Sequence, residues 1–545
     1  MRAAGEEPRL ETAAKLRSFN PSTYRWWALG IVIACAAVLI PAYWIALRAP
    51  AVGMFHDDGV YLVTAKALAT GHGYRIISLP DEIPQTKYPI LFPLALSFVW
   101  RLMPDFPANV FALKLVPFAF ALVWFWLVFR LIALEASREV AAICAALTAT
   151  LLWSVYLSTA LLSETMFAAL CTGGLLVLRR DETGGSEKGR EWLLAGVLAG
   201  LACLTRTAGV CAVATGAIYF LRQRRFSRAA GFLAIALAVC APWLWWLLTQ
   251  HPPDTDAYYS AANYGSWNVL SNHFPLTHKI TIVLVNALLL LRSPFSIAGM
   301  RWPGWPEILA GLTFLAAGLR WIRRWNVADI FLSIYVAMML AWAWPPDRFV
   351  VVVYPLILYL AWRVWRAVCE RFPEKAAVAR AAGITILTVV LAQSLWNLAG
   401  AARATLRIGA VPVMGSQDSW SDTSRQLNWI RDQTPPGAIV LANLDPLFYL
   451  YTGRKAVRGF QDDPYGIFYV PEPGGRPLGS LANFRMSIGK DRVTYIVRAP
   501  NSAFGQAPYL DRLILELVRS EPEAIRLVAQ GEDARFQIYR VERPL

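Results

Sequence analysis

The fold is decided by the stretch WWALGIVIACAAVLIPAYWIAL at residues 26–47, which FHDDG follows at residues 55–59. An apolar run of about 20 residues is as long as an α-helix must be to cross the hydrocarbon core of a bilayer. It is long for a secretory signal, and no small-residue cleavage site follows it. The sequence therefore predicts a cytoplasmic tail at residues 1–25 and then an uncleaved membrane anchor, because cations precede the run. These cations are Arg2, Arg9, Lys15, Arg17 and Arg25.

The composition of the whole chain agrees with insertion into a membrane. Of its 545 residues, 57% are hydrophobic and 16% are charged, whereas soluble globular proteins have about 45–50% and about 25%. Such a chain is too apolar to be disordered, and seven cysteines over this length are too few for a disulfide scaffold. The net charge of +15, from 52 Lys and Arg against 37 Asp and Glu, would suggest a nucleic-acid partner in a soluble chain. In a membrane protein we interpret it as a mark of cytoplasmic loops and expect no nucleic-acid partner.

Further apolar runs bring the predicted number of spans to about eleven. Several are short for a full crossing, so pairs of short helices that enter the membrane and return are the alternative. Residues 278–296 contain Lys279, Asn286 and Arg292 and would break the alternation of sides, so we predict an interfacial helix on the outer side there. The further runs cover residues 108–134, 140–157, 165–178, 192–204, 208–221, 229–248, 307–319, 328–344, 349–368 and 376–399.

Loop charges test this topology, because Lys and Arg accumulate in cytoplasmic loops. The clustered cations all lie on the side that the N-terminus predicts. They are Arg179, Arg180, Lys188 and Arg190; Arg222, Arg224, Arg225 and Arg228; Arg320, Arg323 and Arg324; and Arg363, Arg366, Arg371, Lys375 and Arg380. We therefore expect a membrane domain at residues 26–401, with a long outer loop at residues 48–107.

An odd number of spans leaves residues 402–545 on the outer side. This segment has charges of both signs and Pro/Gly punctuation such as Thr434-Pro435-Pro436-Gly437. Residues 437–442 and 492–497 have the pattern of strands, and residues 424–432 and 509–519 that of helices. The predicted fold class is a polytopic α-helical membrane protein with a C-terminal extracytoplasmic α/β domain.

Acidic residues near the outer membrane boundary are the first candidates for chemistry. Asp57 and Asp58 begin an apolar-periodic segment that ends at Gly71 and suggests a helix on the membrane surface. Glu164 stands next to Ser163, where the third predicted span turns into the fourth. Helix capping, with Ser163 as a cap residue, is the structural interpretation of these positions. The functional interpretation is a general base or a ligand of a divalent cation, because carboxylates serve both purposes.

Basic residues fall on the same predicted face. Lys87 and Tyr88 precede a Pro-marked apolar helix, Arg206 lies between two short spans, and Arg348 lies at a late outer turn. Either arginine could hold a phosphate by bidentate hydrogen bonds. The alternatives are snorkelling for Arg206 and pairing with Asp347 for Arg348. The five histidines, His56 among them, fall in predicted outer loops without zinc-ligand spacing, which is typical of solvated side chains.

The order of these motifs resembles the type C fold of membrane glycosyltransferases. The resemblance is strongest to the bacterial branch related to dolichyl-phosphate-mannose protein mannosyltransferases and to the lipid A aminoarabinose transferase. Each motif is short, and the specificity comes from their order and sidedness along the membrane part. The matching stretches are Asp57-Asp58-Gly59-Val60-Tyr61, Lys87-Tyr88-Pro89, Ser163-Glu164, Thr205-Arg206 and Asp347-Arg348-Phe349.

This resemblance implies transfer of a sugar from a polyprenyl-phosphate carrier to an acceptor on the outer side, with inversion of the anomeric centre. Asp57 resembles the residue that deprotonates the acceptor hydroxyl, and Glu164 resembles the second acidic position, which in some relatives acts through a divalent cation. We therefore consider Mg²⁺ or Mn²⁺ at Asp57 and Glu164. Substrate-binding residues would be Asp58, Lys87, Tyr88, Arg206 and Arg348. Lys87-Tyr88 replaces an acidic-basic pair of some relatives, which argues against a metal contact at that point.

Partners and location follow from the same resemblance. We expect a multi-pass protein of the cell inner membrane that binds membrane lipids, a polyprenyl-phosphate sugar donor, and a protein, glycolipid or polysaccharide acceptor. A transporter or flippase is the main alternative, although such a protein would carry charges at mid-membrane and an internal repeat. A non-catalytic scaffold is a third hypothesis. The absence of a GxxxxGK[ST] motif and of a GxSxG motif gives no support to an ATP-driven pump or a serine hydrolase.

Overall fold

The computed structural model describes most of the chain from residue 21 onwards. The predicted tail cations Arg2, Arg9, Lys15 and Arg17, and the loop cations Lys188, Arg323 and Arg324, lie outside the described residues. The described residues are 21–184, 190–251, 259, 274–296, 305–321, 325–412, 419–459, 464–469, 480–499 and 507–545.

Helices form most of the described chain up to residue 408. Apolar sequence favours this because a helix satisfies every backbone polar group within its own segment, where no water is at hand. The helices are α1 (Pro21–Arg48), α2 (Asp57–Ala69), α3 (Leu91–Leu102), α4 (Val110–Ile132), α5 (Arg138–Thr150), α6 (Leu152–Thr159), α7 (Glu164–Glu182), α8 (Glu191–Thr205), α9 (Val210–Arg222), α10 (Phe226–Thr249), α11 (Leu276–Ser296), α12 (Trp305–Trp321), α13 (Val327–Leu340), α14 (Val350–Arg371) and α15 (Ala376–Ile408).

Among the described residues, five helices are long and apolar enough to cross a membrane. They are α4, α10, α11, α14 and the stretch Pro373–Ile408 that contains α15. Helices α5 and α6 pass the same test together but are bent by 69° at their junction, so they form either a broken sixth span or a re-entrant loop. The protein is thus a multi-pass membrane protein with five or six candidate spans, and the count of about eleven stays a prediction.

The position of helix α11 relative to the membrane is open to two interpretations. Its length and hydropathy suffice for a membrane crossing. Two of its side chains contact the C-terminal region, which agrees with the predicted interfacial helix: His278 stacks on Tyr465 with ring centroids 3.8 Å apart, and Asn286 accepts a hydrogen bond from the Tyr469 hydroxyl at 2.9 Å. The interfacial position therefore stays a prediction.

Helix α2 carries Asp57 and Asp58 at its start and is enclosed by protein. Val60, Tyr61, Leu62 and Val63 are at most 2% exposed, so protein covers every face of this turn of the helix. Four consecutive apolar residues occupy all faces of a helical turn, which is the pattern of a buried helix. The predicted position on the membrane surface stays a prediction.

Helices and short strands alternate after the helical part. The elements are α16 (Trp420–Gln433), β1 (Ile439–Leu441), α17 (Asp445–Thr452), β2 (Lys455–Val457), α18 (Pro464–Phe468), α19 (Leu481–Lys490), β3 (Tyr495–Arg498), α20 (Ala507–Ser520), β4 (Ile525–Gln530) and β5 (Gln537–Val541). The five strands described form one sheet in the order β2-β1-β3-β5-β4. Strand β1 pairs in parallel with β2 and β3, whereas β5 pairs in antiparallel with β3 and β4. The predicted strands at 437–442 and 492–497 are found as β1 and β3, and the predicted helices at 424–432 and 509–519 lie within α16 and α20.

The sheet edge rests on the segment between α2 and α3. The Ala456 N–H donates to the Ser78 carbonyl at 2.9 Å, and Lys455 Nζ donates to the Ile77 carbonyl at 2.6 Å and to Glu82 at 2.7 Å. These contacts join the edge of the sheet to residues 77–82.

Candidate active site

Asp58 shapes the loop that precedes α2. Its Oδ2 accepts a hydrogen bond from the Gly53 N–H at 2.6 Å, and its Oδ1 accepts from the Phe55 and Gly59 N–H groups, both at 3.0 Å. Burial raises the pKa of Asp58 to about 6, against the opposing effect of these three donors. Both oxygens of Asp58 thus bind backbone of its own loop, and its predicted contact with a substrate stays a prediction.

His56 occupies the residue before α2 in an unusual backbone conformation. Its φ is 68°, a region that non-glycine residues adopt at a cost of about 1–3 kcal/mol. Its side chain is 4% exposed, so the interpretation of His56 as a solvated loop histidine is wrong. It makes no side-chain cap to the helix. Contacts elsewhere in the fold must therefore hold this conformation.

Asp57 points its carboxylate at two partners from distant segments. Arg348 Nη2 donates to Oδ2 at 2.8 Å, and the Tyr88 hydroxyl donates to Oδ1 at 2.7 Å. Burial raises the pKa of Asp57, but the charges of Arg348 and Lys87 and the hydrogen bond from Tyr88 outweigh it and hold the pKa below its ordinary value. Asp57 is therefore ionised at neutral pH.

Glu164 forms the second acidic centre. Its Oε1 lies 2.8 Å from Arg206 Nη1 and 3.7 Å from Arg348 Nε. Ser163 does not cap α7; its hydroxyl instead accepts from Arg206 Nη1 at 3.0 Å and shares a hydrogen bond of 3.0 Å with the Tyr61 hydroxyl. The capping interpretation of Ser163 is thus wrong, and the serine helps to hold Arg206 against Glu164.

Arg348 joins the two acidic centres. It pairs with both Asp57 and Glu164, so it is not reserved for its neighbour Asp347. Its guanidinium carbon also lies 4.8 Å from the ring centroid of Phe55 and 5.0 Å from that of Phe349. Because stacking restricts a guanidinium that also forms ion pairs, this arginine is fixed in orientation before any substrate arrives.

Lys87 brings a third cation to the cluster. It is 1% exposed, and its Nζ lies 5.2 Å from the Tyr88 ring centroid. The Gln85 side-chain oxygen accepts from the Lys87 and Tyr88 N–H groups at 2.8 and 3.2 Å, which fixes this turn. The fold thus brings six predicted residues together: Asp57, Glu164, Lys87, Tyr88, Arg206 and Arg348. Asp58 does not join them but binds the backbone of the loop that precedes Asp57.

The two carboxylates do not fit a divalent cation in this arrangement. Within the described ranges, no group of three or more His, Cys, Asp or Glu side chains could hold a metal ion. The guanidinium of Arg348 contacts both Asp57 and Glu164, so it occupies the position that a shared cation would need.

Three buried residues near the cluster were not predicted. Asp445 of α17 receives a hydrogen bond from the Tyr259 hydroxyl at 2.6 Å and lies 3.0 Å from His56 Nε2. His56 and Asp445 are separated by 389 residues. The one signal in the sequence is an aspartate followed by proline after a buried strand, which is typical of a helix start and gives no hint of this contact.

Known proteins with the same fold are membrane glycosyltransferases. The apo structure of ArnT from Cupriavidus metallidurans matches with a TM-score of 0.58 and 13% identity over 94% of this chain and 98% of that chain. The structure of the same protein bound to undecaprenyl phosphate gives 0.56 and 14% over the same shares. The Archaeoglobus fulgidus oligosaccharyltransferase, in a complex with Zn and sulfate, gives 0.50 and 13% over 84% and 67%. At these identities the likeness concerns the fold.

The sequence comparison points the same way for part of the chain. Residues 87–246 match the family model of dolichyl-phosphate-mannose-protein mannosyltransferase, a stretch that begins at Lys87 and includes Glu164 and Arg206. No curated protein sequence matches the chain significantly. The chain thus shares its fold with these membrane glycosyltransferases, and residues 87–246 match the mannosyltransferase family model.

Proposed function

We propose that the protein transfers a sugar from a polyprenyl-phosphate donor to an acceptor on the extracytoplasmic side of the cell inner membrane, with Asp57 as general base. One observation carries the assignment of the base. Asp57 has a side-chain exposure of 16%, whereas Glu164, the other carboxylate of the cluster, has 1%. A general base must reach the hydroxyl that it deprotonates, to within about 2.6–3.2 Å.

The three cations of the cluster support a phosphate-linked donor. Arg206, Arg348 and Lys87 lie together at one site beside Asp57 and Glu164. A phosphodiester between a polyprenol and a sugar carries one negative charge, and its leaving group gains a second. Cations fixed beforehand stabilise that developing charge without reorganisation. ArnT, which has the same fold, binds undecaprenyl phosphate, and this ligand class supports the same interpretation here.

The reaction would be a single displacement. The acceptor oxygen forms a bond to the anomeric carbon while the bond from that carbon to the phosphate oxygen breaks, and the acceptor proton passes to Asp57. Attack opposite to the leaving group inverts the anomeric centre. The donor phosphate competes with Asp57 for Arg348, and loss of that ion pair raises the pKa of Asp57 towards a value better suited to a base.

The other residues act by position. Glu164 holds Arg206 and Arg348 at the phosphate, and the Tyr88 hydroxyl orients Asp57. Because the prenyl chain stays in lipid, the phosphate must be met near the bilayer surface. We propose that residues 402–545 form an extracytoplasmic domain beside this surface and that the N-terminus is cytoplasmic. The acceptor would be a protein, a glycolipid or a polysaccharide.

A donor panel tests this function. Purified protein is incubated with polyprenyl-phosphate sugars, and release of polyprenyl phosphate and transfer of the sugar are followed together. We expect release that depends on an acceptor, and a raised donor KM for Arg206→Gln but not for the exposed Arg222→Gln, its matched control. Movement of the intact lipid-linked sugar across vesicles without release would instead identify a flippase. Reporter fusions near Gly185 and Gly437 should report opposite sides of the membrane.

A further inference from the structure

Two buried hydrogen-bonded junctions connect the C-terminal region to the two sides of the Asp57–Arg348 pair. The first, the His56 junction, consists of His56, Tyr259 and Asp445. The second, the Asn286 junction, consists of Asn286, Tyr469 and the Met339 and Trp342 carbonyl groups at and just after the end of α13, to which Asn286 donates. One junction lies next to Asp57 in the chain, and the other precedes Arg348.

The His56 junction is closed on all sides. The side chains of His56 and Asp445 are 5% and 0% exposed. His56 Nε2 lies 3.0 Å from Asp445 Oδ1, and the Tyr259 hydroxyl donates to Oδ2 at 2.6 Å and lies 3.4 Å from His56 Nε2. With Nε2 protonated, His56 donates to the carboxylate, so both oxygens of Asp445 are engaged. Because a buried carboxylate left without donors is costly, this geometry strongly favours one position of His56.

The charges around this junction favour a neutral imidazole. Burial lowers the pKa of His56, and the nearby charges of Arg458 and Lys87 lower it further. Burial raises the pKa of Asp445 to about 7, opposed by the charge of Arg458 and the hydrogen bond from Tyr259. His56, Tyr259 and Arg458 therefore surround one carboxylate, and the imidazole serves as a donor.

The start of α17, which carries Asp445, also packs closely against the loop that carries Asp57. A Cβ atom on Gly59 would lie 3.0 Å from Pro446 Cβ. Gly53, which has a φ of +81°, would place its Cβ 3.0 Å from Leu447 Cδ1. Residues 53–59 thus lie directly against the start of α17, and the unusual φ of His56 is held from the side of Asp445.

The Asn286 junction fixes the turn before Arg348. Asn286 Nδ2 donates to the Met339 carbonyl at 3.1 Å and to the Trp342 carbonyl at 2.8 Å. Its Oδ1 accepts from the Tyr469 hydroxyl at 2.9 Å. Asn286 is fully buried. Nearby, the rings of Trp344 and Phe468 lie 5.3 Å apart, so the C-terminal region also packs on the turn itself.

We propose that the C-terminal region positions the catalytic pair from both sides, with His56, Asp445 and Tyr259 setting Asp57 and with Asn286 and Tyr469 setting Arg348. These are positioning residues, and the inference rests on the proposed function of Asp57. Asp57 and Arg348 are 291 residues apart, so their 2.8 Å contact requires both segments to be fixed independently. A displacement of about 1 Å in an active site can lower a rate about 100-fold.

Kinetics of three variants test this role. Asp445→Asn disturbs the His56 junction, Tyr469→Phe removes a single hydroxyl from the Asn286 junction, and Lys455→Gln changes a contact of the C-terminal region that leads to neither catalytic residue. We expect kcat to fall about tenfold or more in the first two, with donor KM nearly unchanged, and Lys455→Gln to keep the wild-type kcat.

The pH profile separates positioning from a loss of folded protein. If Asp57 loses its contact with Arg348, its pKa rises, so the acidic limb of the kcat profile moves to higher pH. Because the pKa of Asp445 is raised to about 7, this residue is largely uncharged at the pH of the acidic limb, so Asp445→Asn removes little charge there. Tyr469→Phe changes no charge. Loss of folded protein, in contrast, lowers the rate by the same factor at all pH values and leaves the acidic limb in place. An acidic limb that stays at the wild-type position in both variants would overturn the proposal.

Hydrogen–deuterium exchange tests the junctions even if the protein accepts none of the polyprenyl-phosphate sugars as a donor. We expect faster exchange in residues 53–62 for Asp445→Asn and in residues 340–349 for Tyr469→Phe, with neither change in Lys455→Gln. Unchanged exchange in both segments would overturn the positioning role. A wild-type protein inactive with every donor, but with the expected exchange, would instead contradict the proposed function and leave the two junctions standing.

Discussion

Arg348 Nη2 lies 2.8 Å from Asp57 Oδ2, although the two residues are 291 positions apart in the chain. The same guanidinium reaches Glu164 at 3.7 Å. Three segments that follow different apolar runs therefore meet at one arginine. Because each carboxylate would be costly to bury without a cation, the arginine both completes the site and holds it together.

Replacement of Arg348 should change both the rate and its pH dependence. In Arg348→Gln, Asp57 loses the nearest positive charge, so its pKa rises and the acidic limb of the kcat profile moves to higher pH. We expect kcat to fall about 100- to 1000-fold because a donor aimed at the leaving group is lost. Arg348→Lys keeps the positive charge but loses the planar guanidinium group, so its kcat should lie between those of Arg348→Gln and the wild type. A wild-type pH profile in Arg348→Gln would contradict the assigned pair.

The pair of Glu164 and Arg206 should show energetic coupling. Glu164→Gln leaves Arg206 facing an amide, and Arg206→Gln leaves a buried carboxylate with only the more distant Arg348. We expect each single variant to lose about 3 kcal/mol of unfolding free energy. The double variant should lose less than the sum, by about 1–3 kcal/mol. Thermal unfolding in detergent measures this, and strictly additive losses would show that the two side chains do not depend on each other.

Much of the cluster could be predicted because the sequence pattern predicts on which side of the membrane each span ends. Apolar runs and loop cations predict that Asp57, Glu164, Arg206 and Arg348 lie on one face of the membrane. Charged residues confined to one thin layer at the ends of spans lie close together, and opposite charges there form ion pairs. The partner of each charge was not predictable: Arg348 could have paired with Asp347, and tertiary packing brings it to Asp57 and Glu164 instead.

The residues that sequence reasoning missed are those whose role depends on long-range contact. His56 has the sequence context of a loop histidine, and only the fold brings Asp445 to within 3.0 Å of it. Asp58 stands next to Asp57, yet its oxygens bind the Gly53, Phe55 and Gly59 N–H groups. A difference of one position on a tight loop directs the two carboxylates differently, and spacing alone does not reveal which one faces the cluster.

Asp58 should make stability depend on pH in a defined window. Burial raises the pKa of Asp58 to about 6 in the folded protein from its ordinary value of 3.8, so the folded state binds this proton up to a higher pH than the unfolded chain does. The stabilisation that this proton provides is fully present below pH 3.8 and is lost as the pH rises through about 6. The total loss of unfolding free energy is about 3 kcal/mol. Relative to Asp58→Asn, the wild type should lose unfolding free energy between pH 4 and pH 6. A pH-independent difference would contradict the buried, raised pKa.

Chelation should leave transfer intact. Arg348 already contacts both carboxylates, and a guanidinium in that place supplies the positive charge without a metal ion. We expect dialysis against EDTA to keep the initial rate within about twofold of the untreated enzyme, and added Mg²⁺ or Mn²⁺ to have no larger effect. A rate that collapses with EDTA and returns with one of these ions would show that the carboxylates rearrange around a cation.

The most direct test of the account is the initial rate of sugar transfer by Asp57→Asn. The exposed Asp81→Asn in the same outer segment is the matched control, and binding of undecaprenyl phosphate is measured for both. We predict that Asp57→Asn binds the lipid phosphate but transfers sugar at least about 100-fold more slowly than the wild type, while Asp81→Asn keeps the wild-type rate. Wild-type turnover by Asp57→Asn would contradict the assignment of Asp57 as the base.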